Sequence, residues 1–344
     1  MFESDLNEVK SDRFLYSNLR PIVHLLDDDS VSEIMCNPDG RWFTERRGKP
    51  YLISEDVNFS DPDYDGDYLM FKLSSIANVL RIPFDDNDCL FNAQLQDGSR
   101  IAATRPPITW PGCSLNIRRF SKVRYTLGNL IEYGTLSDDL ASVLTNIIQS
   151  NQNVLISGST GSGKTTLMDA LSDYFDEHER IVVIEDTREL RIQAKNLVQM
   201  ECRKNPLGDI KAFLFDQLLK QSLRMRPDRI LLGEIRGEEA LTFLDSLNTG
   251  HGGSMATTHA SSPEDALRRV ADLANRALGF TQIHTACGIA ARSIQYVIQA
   301  KKIYGQRLIT DVIRVTGYDP DRGNFSYDQI FKLPELPQHN SLAA

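Results

Sequence analysis

An α/β protein in two unlike parts is what this 344-residue sequence predicts: a smaller α+β domain, then a domain built on a parallel sheet. Three observations lead there. The length suits two domains at roughly 100–200 residues each. The texture of the chain changes near residue 135, from short apolar segments divided by turns to apolar runs divided by helix-length stretches. And a glycine-rich loop, GSTGSGKT at Gly158–Thr165, directly follows one of those runs. The expected layout is an N-terminal α+β domain over 1–116, a hinge or linker over 117–134, a P-loop domain over 135–325 and a tail over 326–344.

The first part opens with a helix expected over Arg13–Leu26. Short strand-like segments follow at Ser32–Met35, Arg41–Glu45 and Tyr51–Ile53. Turn residues divide them, Asn37-Pro38-Asp39-Gly40 and then Gly48-Lys49-Pro50. A helix is expected over Asp67–Leu80. Two more segments, Leu90–Leu95 and Arg100–Thr104, flank a hairpin-like Asp97-Gly98 turn. Strands of this kind with few helices read as an antiparallel sheet.

In the second part, strands are expected at Val154–Ile156, Ile181–Ile184, Ile230–Leu232 and Ser254–Thr258. Helices are expected over Gly163–Tyr174, Ile210–Met225 and Glu238–Asn248. Short, wholly apolar strands alternating with helices indicate a parallel sheet covered on both faces. After Gly317 the chain turns Asp-, Gly- and Pro-rich, and PELPQHNSLAA reads as a frayed end.

Composition narrows the function. Hydrophobic residues make up 41% and charged residues 25%, and the net charge is -9. An acidic balance argues against a global electrostatic grip on nucleic acid, so no direct sequence-specific nucleic-acid binding is expected. Met1–Phe14 has neither a basic start nor an apolar core, so it does not read as a secretory signal. No apolar run approaches 18 residues, the length that suggests a membrane span. The five cysteines are scattered, which reads as reduced thiols in a cytosolic protein.

Gly158–Thr165 fits G-x-x-x-x-G-K-[ST], the phosphate-binding P-loop. Its glycines let backbone N–H groups turn inward round phosphate oxygens. The expected nucleotide contacts are Gly158, Ser159, Thr160, Gly161, Ser162, Gly163, Lys164, Thr165 and Thr166. Lys164 brings a point charge to the β and γ phosphates, Thr165 brings a hydroxyl to Mg2+, and the following helix adds its positive dipole end.

Hydrolysis also needs an activated water and stabilised phosphoryl charge. Ligands of an open parallel sheet sit beyond the carboxyl ends of its strands. Three strands there end in polar residues: Glu185-Asp186-Thr187, Gly233-Glu234, and His259. Gly233 stands where many P-loop ATPases carry an Asp, and Mg2+ needs few protein ligands. Glu234 is the expected general base and Glu185 its competitor; the alternative for Glu185-Asp186 is capping or ordering of the site. His259 is read as a γ-phosphate sensor, against a simple backbone hydrogen bond. His251 divides between a like role and stabilising its glycine turn. Zinc is disfavoured, because no cysteine lies near the two histidines.

GSTGSGKTT, IEDTREL, SLRMRPDRILLGEIRGEEA and TGHGGSMATTHA stand in this order. Together they resemble the Walker A, Asp box, Walker B and His box of the type II/IV secretion-superfamily traffic ATPases, closest to the VirB/Trb type that serves type IV secretion and conjugation. The resemblance covers about Ile117–Val315, with looser matches at SEIMCNPDG, DGSRIAATRPP and SLNIRRF. It implies a RecA-like P-loop ATPase domain that hydrolyses ATP with Mg2+, and a homo-hexamer. It implies a cytoplasmic protein, peripheral at the inner membrane, working with channel components and a coupling protein. By local match it gives Arg100 and Arg118 as catalytic arginines, with Arg119 a near neighbour; the alternative is ion pairs bridging the hinge. Arg224 and Arg236 also fit, as structural partners of acidic residues. The four-cysteine zinc element of pilus-assembly and type II members and the AIRNLIRE motif of retraction motors are both missing from the sequence, which disfavours those branches. A DNA-translocating motor and a nucleotide-switched scaffold are the competing readings; acidity argues against the first and Glu234 against the second.

Overall fold

The computed structural model describes residues 17–46, 49, 51–63, 67–95, 97–120, 123–203 and 211–334. The chain divides into two compact units between Val123 and Arg124.

The first unit is a six-stranded antiparallel sheet ordered β3-β2-β1-β6-β5-β4. Its strands are β1 (Val31–Cys36), β2 (Trp42–Arg46), β3 (Ile53–Glu55), β4 (Leu90–Gln94), β5 (Arg100–Thr104) and β6 (Ser114–Arg118). Period-2 burial sends Ile101, Ala103, Leu115 and Ile117 into a core with Leu69, Leu73 and Ile76 of the helix Tyr68–Val79. Asp67 starts that helix by accepting the Met70 N–H at 2.9 Å. The helix expected from Arg13 begins outside the described residues; a 3-10 turn, Arg20–Ile22, and the helix Val23–Leu26 form its described end. Met1–Phe14 and Gly48 and Pro50 of the expected turn also lie outside them.

The second unit has eight strands: β7 (Val154–Gly158), β8 (Arg180–Glu185), β9 (Asn196–Glu201), β10 (Arg229–Leu232), β11 (Met255–Thr258), β12 (Tyr296–Ile303), β13 (Gln306–Asp319) and β14 (Asn324–Lys332). Their order is β14-β13-β12-β7-β11-β10-β8-β9. The six from β12 to β9 are parallel, and β13 and β14 add antiparallel at one edge.

Alternate residues of the central strands feed two cores. Val154, Ile156, Ile181, Val183, Leu231 and Met255 pack with the helices Leu127–Glu132, Asp138–Gln149 and Lys164–Leu171. Leu155, Val182, Ile184, Ile230, Leu232 and Ala256 pack with Phe215–Ser222, Glu239–Leu247, Pro263–Ala277 and Ile283–Ser293. Burial on both faces is why these strands carry no polar alternation.

Three segments differ from the sequence-based expectation. The stretch 117–134 is not merely mixed linker. Ile117 and Arg118 end β6, and Thr126 and Asn129 form a capping box that starts the helix Leu127–Glu132. Residues 326–332, expected in the tail, belong to β14, where Phe325 is buried and the backbone pairs with β13. The helix expected from Ile210 is Phe215–Ser222; Ile210 lies outside the described residues. Among the described residues no helix is long and apolar enough to cross a membrane. Among the described residues the five cysteines form no disulfide, and four of them are buried.

Arg229, at the start of β10, is buried to 2% exposure. Its guanidinium pairs with Glu179 at 2.6 Å, donates to the carbonyls of Ile148 (3.2 Å) and Gly253 (3.0 Å) and to Asn151, and lies over the Phe175 ring. A Cβ on Gly253 would stand 2.5 Å from it, so that glycine is required by close approach as well as by φ +77°. Removing one partner of a buried pair leaves the other charge uncompensated. Arg229→Ala is therefore expected to cost about 3–5 kcal/mol, read as a lower urea midpoint. A loss below about 1 kcal/mol would contradict the role assigned to this cation.

Candidate active site

The neighbours β7, β11, β10 and β8 end side by side, which brings the P-loop, His259, Gly233-Glu234 and Glu185-Asp186 to one edge of the sheet. The loop leaves β7 at Gly158, pressed so close to β12 that a Cβ would meet the Ala300 carbonyl oxygen at 2.2 Å. Gly161 and Gly163 take φ +71° and +92°, the left-handed turns that aim successive N–H groups inward. Gly163 then starts the helix Lys164–Leu171, so Lys164, Thr165 and Thr166 lie in its first turn.

Lys164 is buried, and its Nζ donates to the carbonyls of Gly158 (2.9 Å) and Ser159 (3.0 Å). It also lies 3.3 Å from Nδ1 of His259. An ammonium has only protons to give. Nδ1 is therefore the acceptor, and the ring proton sits on Nε2, 3.2 Å from Oε1 of Glu234. The other carboxylate oxygen of Glu234 takes Nη2 of Arg236 at 2.6 Å, and Nη1 of Arg236 reaches Asp186 at 3.1 Å. The result is one chain of polar contacts, Lys164–His259–Glu234–Arg236–Asp186.

Burial works to raise the Glu234 carboxyl, but the Arg236 hydrogen bond and the charges of Arg236, His259 and Lys164 outweigh it and hold it below the usual range. Burial and the Lys164 ammonium together lower His259, against the pull of Glu234, which keeps the ring neutral at pH 7. Glu234 itself is held from both sides. The Gly233 N–H donates to Ile184 O at 2.8 Å, Thr257 Oγ1 to Gly233 O at 2.6 Å, and the Ile235 N–H to Thr257 O at 2.8 Å.

Glu185 is occupied differently. It is buried, and its Oε1 accepts the N–H groups of Glu189 and Leu190 at 2.9 Å each. A Cβ on Gly233 would meet its Cγ at 3.1 Å, so the glycine in the Walker B position makes room for Glu185. Burial pushes the Glu185 carboxyl up to about 7, against those two N–H groups.

Arg100 and Arg118 belong to the first unit. They are direct cross-strand partners on β5 and β6, with Glu33 of β1 beside Arg118 at 4.0 Å. Like charges directly opposite cost stability, and Glu33, paired across from Arg118 on its other side, offsets part of that cost. Arg119 is instead structural, its side chain 6% exposed and bonded to the carbonyls of Asp28 and Val31. His251 bonds Ser246 O at 3.0 Å and its own carbonyl accepts Ser254 Oγ at 2.8 Å, the turn-stabilising arrangement.

Two contributions escape the sequence reading. Glu239 accepts the N–H groups of Arg236 and Gly237 at 2.7 and 2.8 Å and fixes the loop after Glu234; the E-E pair at the helix start is its signal. Arg307 of β13 donates from Nε to Gly161 O at 2.9 Å; no motif announces it.

The type II/IV secretion system protein model matches residues 16–314. The chain belongs to that family. It is an ATPase with a RecA-like sheet. An uncharacterised protein of Methanocaldococcus jannaschii is 44% identical over 237 residues, 67% of this chain; the match spans only 32% of that protein. The conjugal transfer protein TrbB of Rhizobium radiobacter is 31% identical over 85% of this chain and 86% of its own length. The type IV secretion system protein VirB11 of Bartonella quintana is 29% identical over 88% and 92%. Among solved structures, the Legionella pneumophila ATPase DotB superposes with a TM-score of 0.55 at 19% identity, over 89% of this chain and 81% of that one, a likeness of fold.

The raised Glu185 has a consequence for the stability of this family member. Between pH 4.5 and 7 the unfolded chain loses this proton while the folded chain keeps it, so stability falls as pH rises through that window. Glu185→Gln keeps an oxygen for the two N–H groups and removes the titration. The expected result is a flatter dependence of the urea midpoint on pH between 4.5 and 7; an unchanged slope would refute it.

Proposed function

We propose that the protein is an ATP-hydrolysing motor of a type IV secretion or conjugation machine. The carrying observation is the unbroken chain from Lys164 through His259 to Glu234. It joins the group that holds the γ-phosphate to the group that polarises the attacking water. Glu234 is the general base, since it is ionised and tied to the phosphate lysine, whereas Glu185 orders the loop over 186–190. When ATP takes the protons that Lys164 now gives to Gly158 and Ser159, His259 feels the change first and passes it to Glu234.

The site fits a nucleotide with Mg2+. Its left-handed glycines form a cradle, and the Ser162 hydroxyl is buried without a hydrogen-bond partner among the described residues. Thr165 would hold the cation together with the phosphates, and Mg2+ would neutralise phosphate charge. Arg100 and Arg118 are proposed to neutralise the remainder.

Resemblance to TrbB and VirB11 supports the wider assignment. The protein works as a homo-hexamer in the cytoplasm, peripheral at the inner membrane, beside channel components and a coupling protein. It powers substrate translocation, pilus biogenesis or both.

Turnover and binding test this together. Lys164→Ala is expected to abolish ATP turnover. Glu234→Gln is expected to keep ATP binding and slow hydrolysis by on the order of 10²–10⁴. If Glu185→Gln gives that loss and Glu234→Gln does not, the two roles are exchanged. Monomers alone in sedimentation with ATP and Mg2+ would overturn the hexamer.

A further inference from the structure

Three polar side chains lie in a row inside the sheet of the second unit, just before the candidate active site. Ser157 of β7 is the direct partner of Thr258 of β11 on one side and of Gln299 of β12 on the other. All three are 0% exposed. They share the strand phase of Leu155, Ala256 and Val297, so they face the core that includes the helix Pro263–Ala277.

A buried hydroxyl or amide oxygen without a partner costs stability. Yet Ser157 Oγ, Thr258 Oγ1 and Gln299 Oε1 have no hydrogen-bond partner among the described residues. The other end of Gln299 is held, since its Nε2 donates to Ala260 O at 3.1 Å. That bond settles which end of the amide is the oxygen.

The row calls for one small ligand. Neighbouring strands stand about 4.8 Å apart, so opposed hydroxyls do not reach each other, whereas one water between them reaches both. A water also matches the chemistry: Gln299 Oε1 can only accept, and the hydroxyls can give or take. A cation matches poorly. No carboxylate belongs to the row, and the Lys164 ammonium is bonded to Gly158 O, next along β7.

The row also stands behind the functional groups. Ser157 precedes Gly158, the first residue of the phosphate loop. Thr258 precedes His259, and Gln299 bonds the carbonyl of Ala260, the residue after His259. Thr258 and Gln299 therefore hold the backbone on both sides of that imidazole.

We propose that Ser157, Thr258 and Gln299 bind one buried water that ties β7, β11 and β12 together, and that Gln299 is a positioning residue for His259. The second part rests on the reading of His259 as the link between Lys164 and Glu234.

Two arms test this on the full chain. Thr258→Val and Ser157→Ala each delete one hydroxyl. With a water held between them, each variant lowers the urea midpoint, and the double variant loses less than the sum, because both serve one molecule. A midpoint that rises or is unchanged, or a loss that is additive, overturns the shared water, since deleting an unpaired buried hydroxyl relieves its cost. In the second arm, Gln299→Met is expected to lower kcat for ATP about 10–100-fold, the range that a misplacement of about 1 Å can reach, with KM within about twofold. Thr258→Ser keeps the hydroxyl and is expected to keep the wild-type kcat, unlike Thr258→Val. An unchanged kcat in Gln299→Met, or a KM that rises as far as kcat falls, overturns the positioning role. Wild-type turnover in His259→Asn overturns the reading of His259 instead, and the urea arm still decides the water.

Discussion

A parallel sheet can gather polar side chains only where its strands end, because every residue before the end is buried on one face or the other. The whole site depends on that constraint. Thr258 pairs with Ser157, and Leu232 with both Ala256 and Ile184, so β7, β11, β10 and β8 finish in step. The first residues free of the ladder are therefore neighbours in space. They are His259, Gly233-Glu234 and Asp186, beside the loop that starts at Gly158. A shift of one residue in any of these strands would carry its end residue to the opposite face of the sheet, so the register also sets how these polar groups are spaced.

The same constraint explains the two acidic residues. Glu185 still belongs to β8 and is buried, so its burial cost is met by the N–H groups of Glu189 and Leu190. Glu234 lies two residues past the end of β10 and is half-buried, within reach of cations. One carboxyl is raised to about 7 and the other is lowered, although both sit at the carboxyl edge. Environment separates their roles, as is common where acid and base duties fall on like residues. Gly233 is the hinge of this division. A Cβ there would crowd Glu185 Cγ at 3.1 Å, so the glycine eases the packing of that side chain.

What could be read in the sequence follows from this geometry. Strands buried on both faces announce themselves as apolar runs, so β7, β8, β10 and β11 were legible, and so were the polar residues just beyond them. The P-loop was legible because its glycines and Lys164 serve one mechanism at fixed spacing. Less legible were elements whose pattern is mixed. β12 carries Gln299 and two lysines, and β13 and β14 lie at an edge where one face is solvated, so their alternation is weak. Arg236 was read as a structural partner of an acid, but not as the clamp on Glu234, since which acid it takes depends on side-chain reach. Arg307 and Arg229 could not be found at all. Each acts on a backbone carbonyl far away in the chain, and a carbonyl leaves no trace in the sequence.

Arg229 and Lys164 show one further use of carbonyls. Both are buried cations, and both are held chiefly by backbone oxygens near glycines: Gly253 for the first, Gly158 for the second. The difference lies in what else each has. Arg229 has Glu179 as a counter-charge at 2.6 Å, so it is satisfied and fixed. Lys164 has two carbonyls and a neutral imidazole among its partners, and its charge also acts on Glu234. A buried ammonium favours an anion that can reach it. That suits the phosphate site proposed for this loop. The imidazole of His259 touches both Lys164 and Glu234 and links the two.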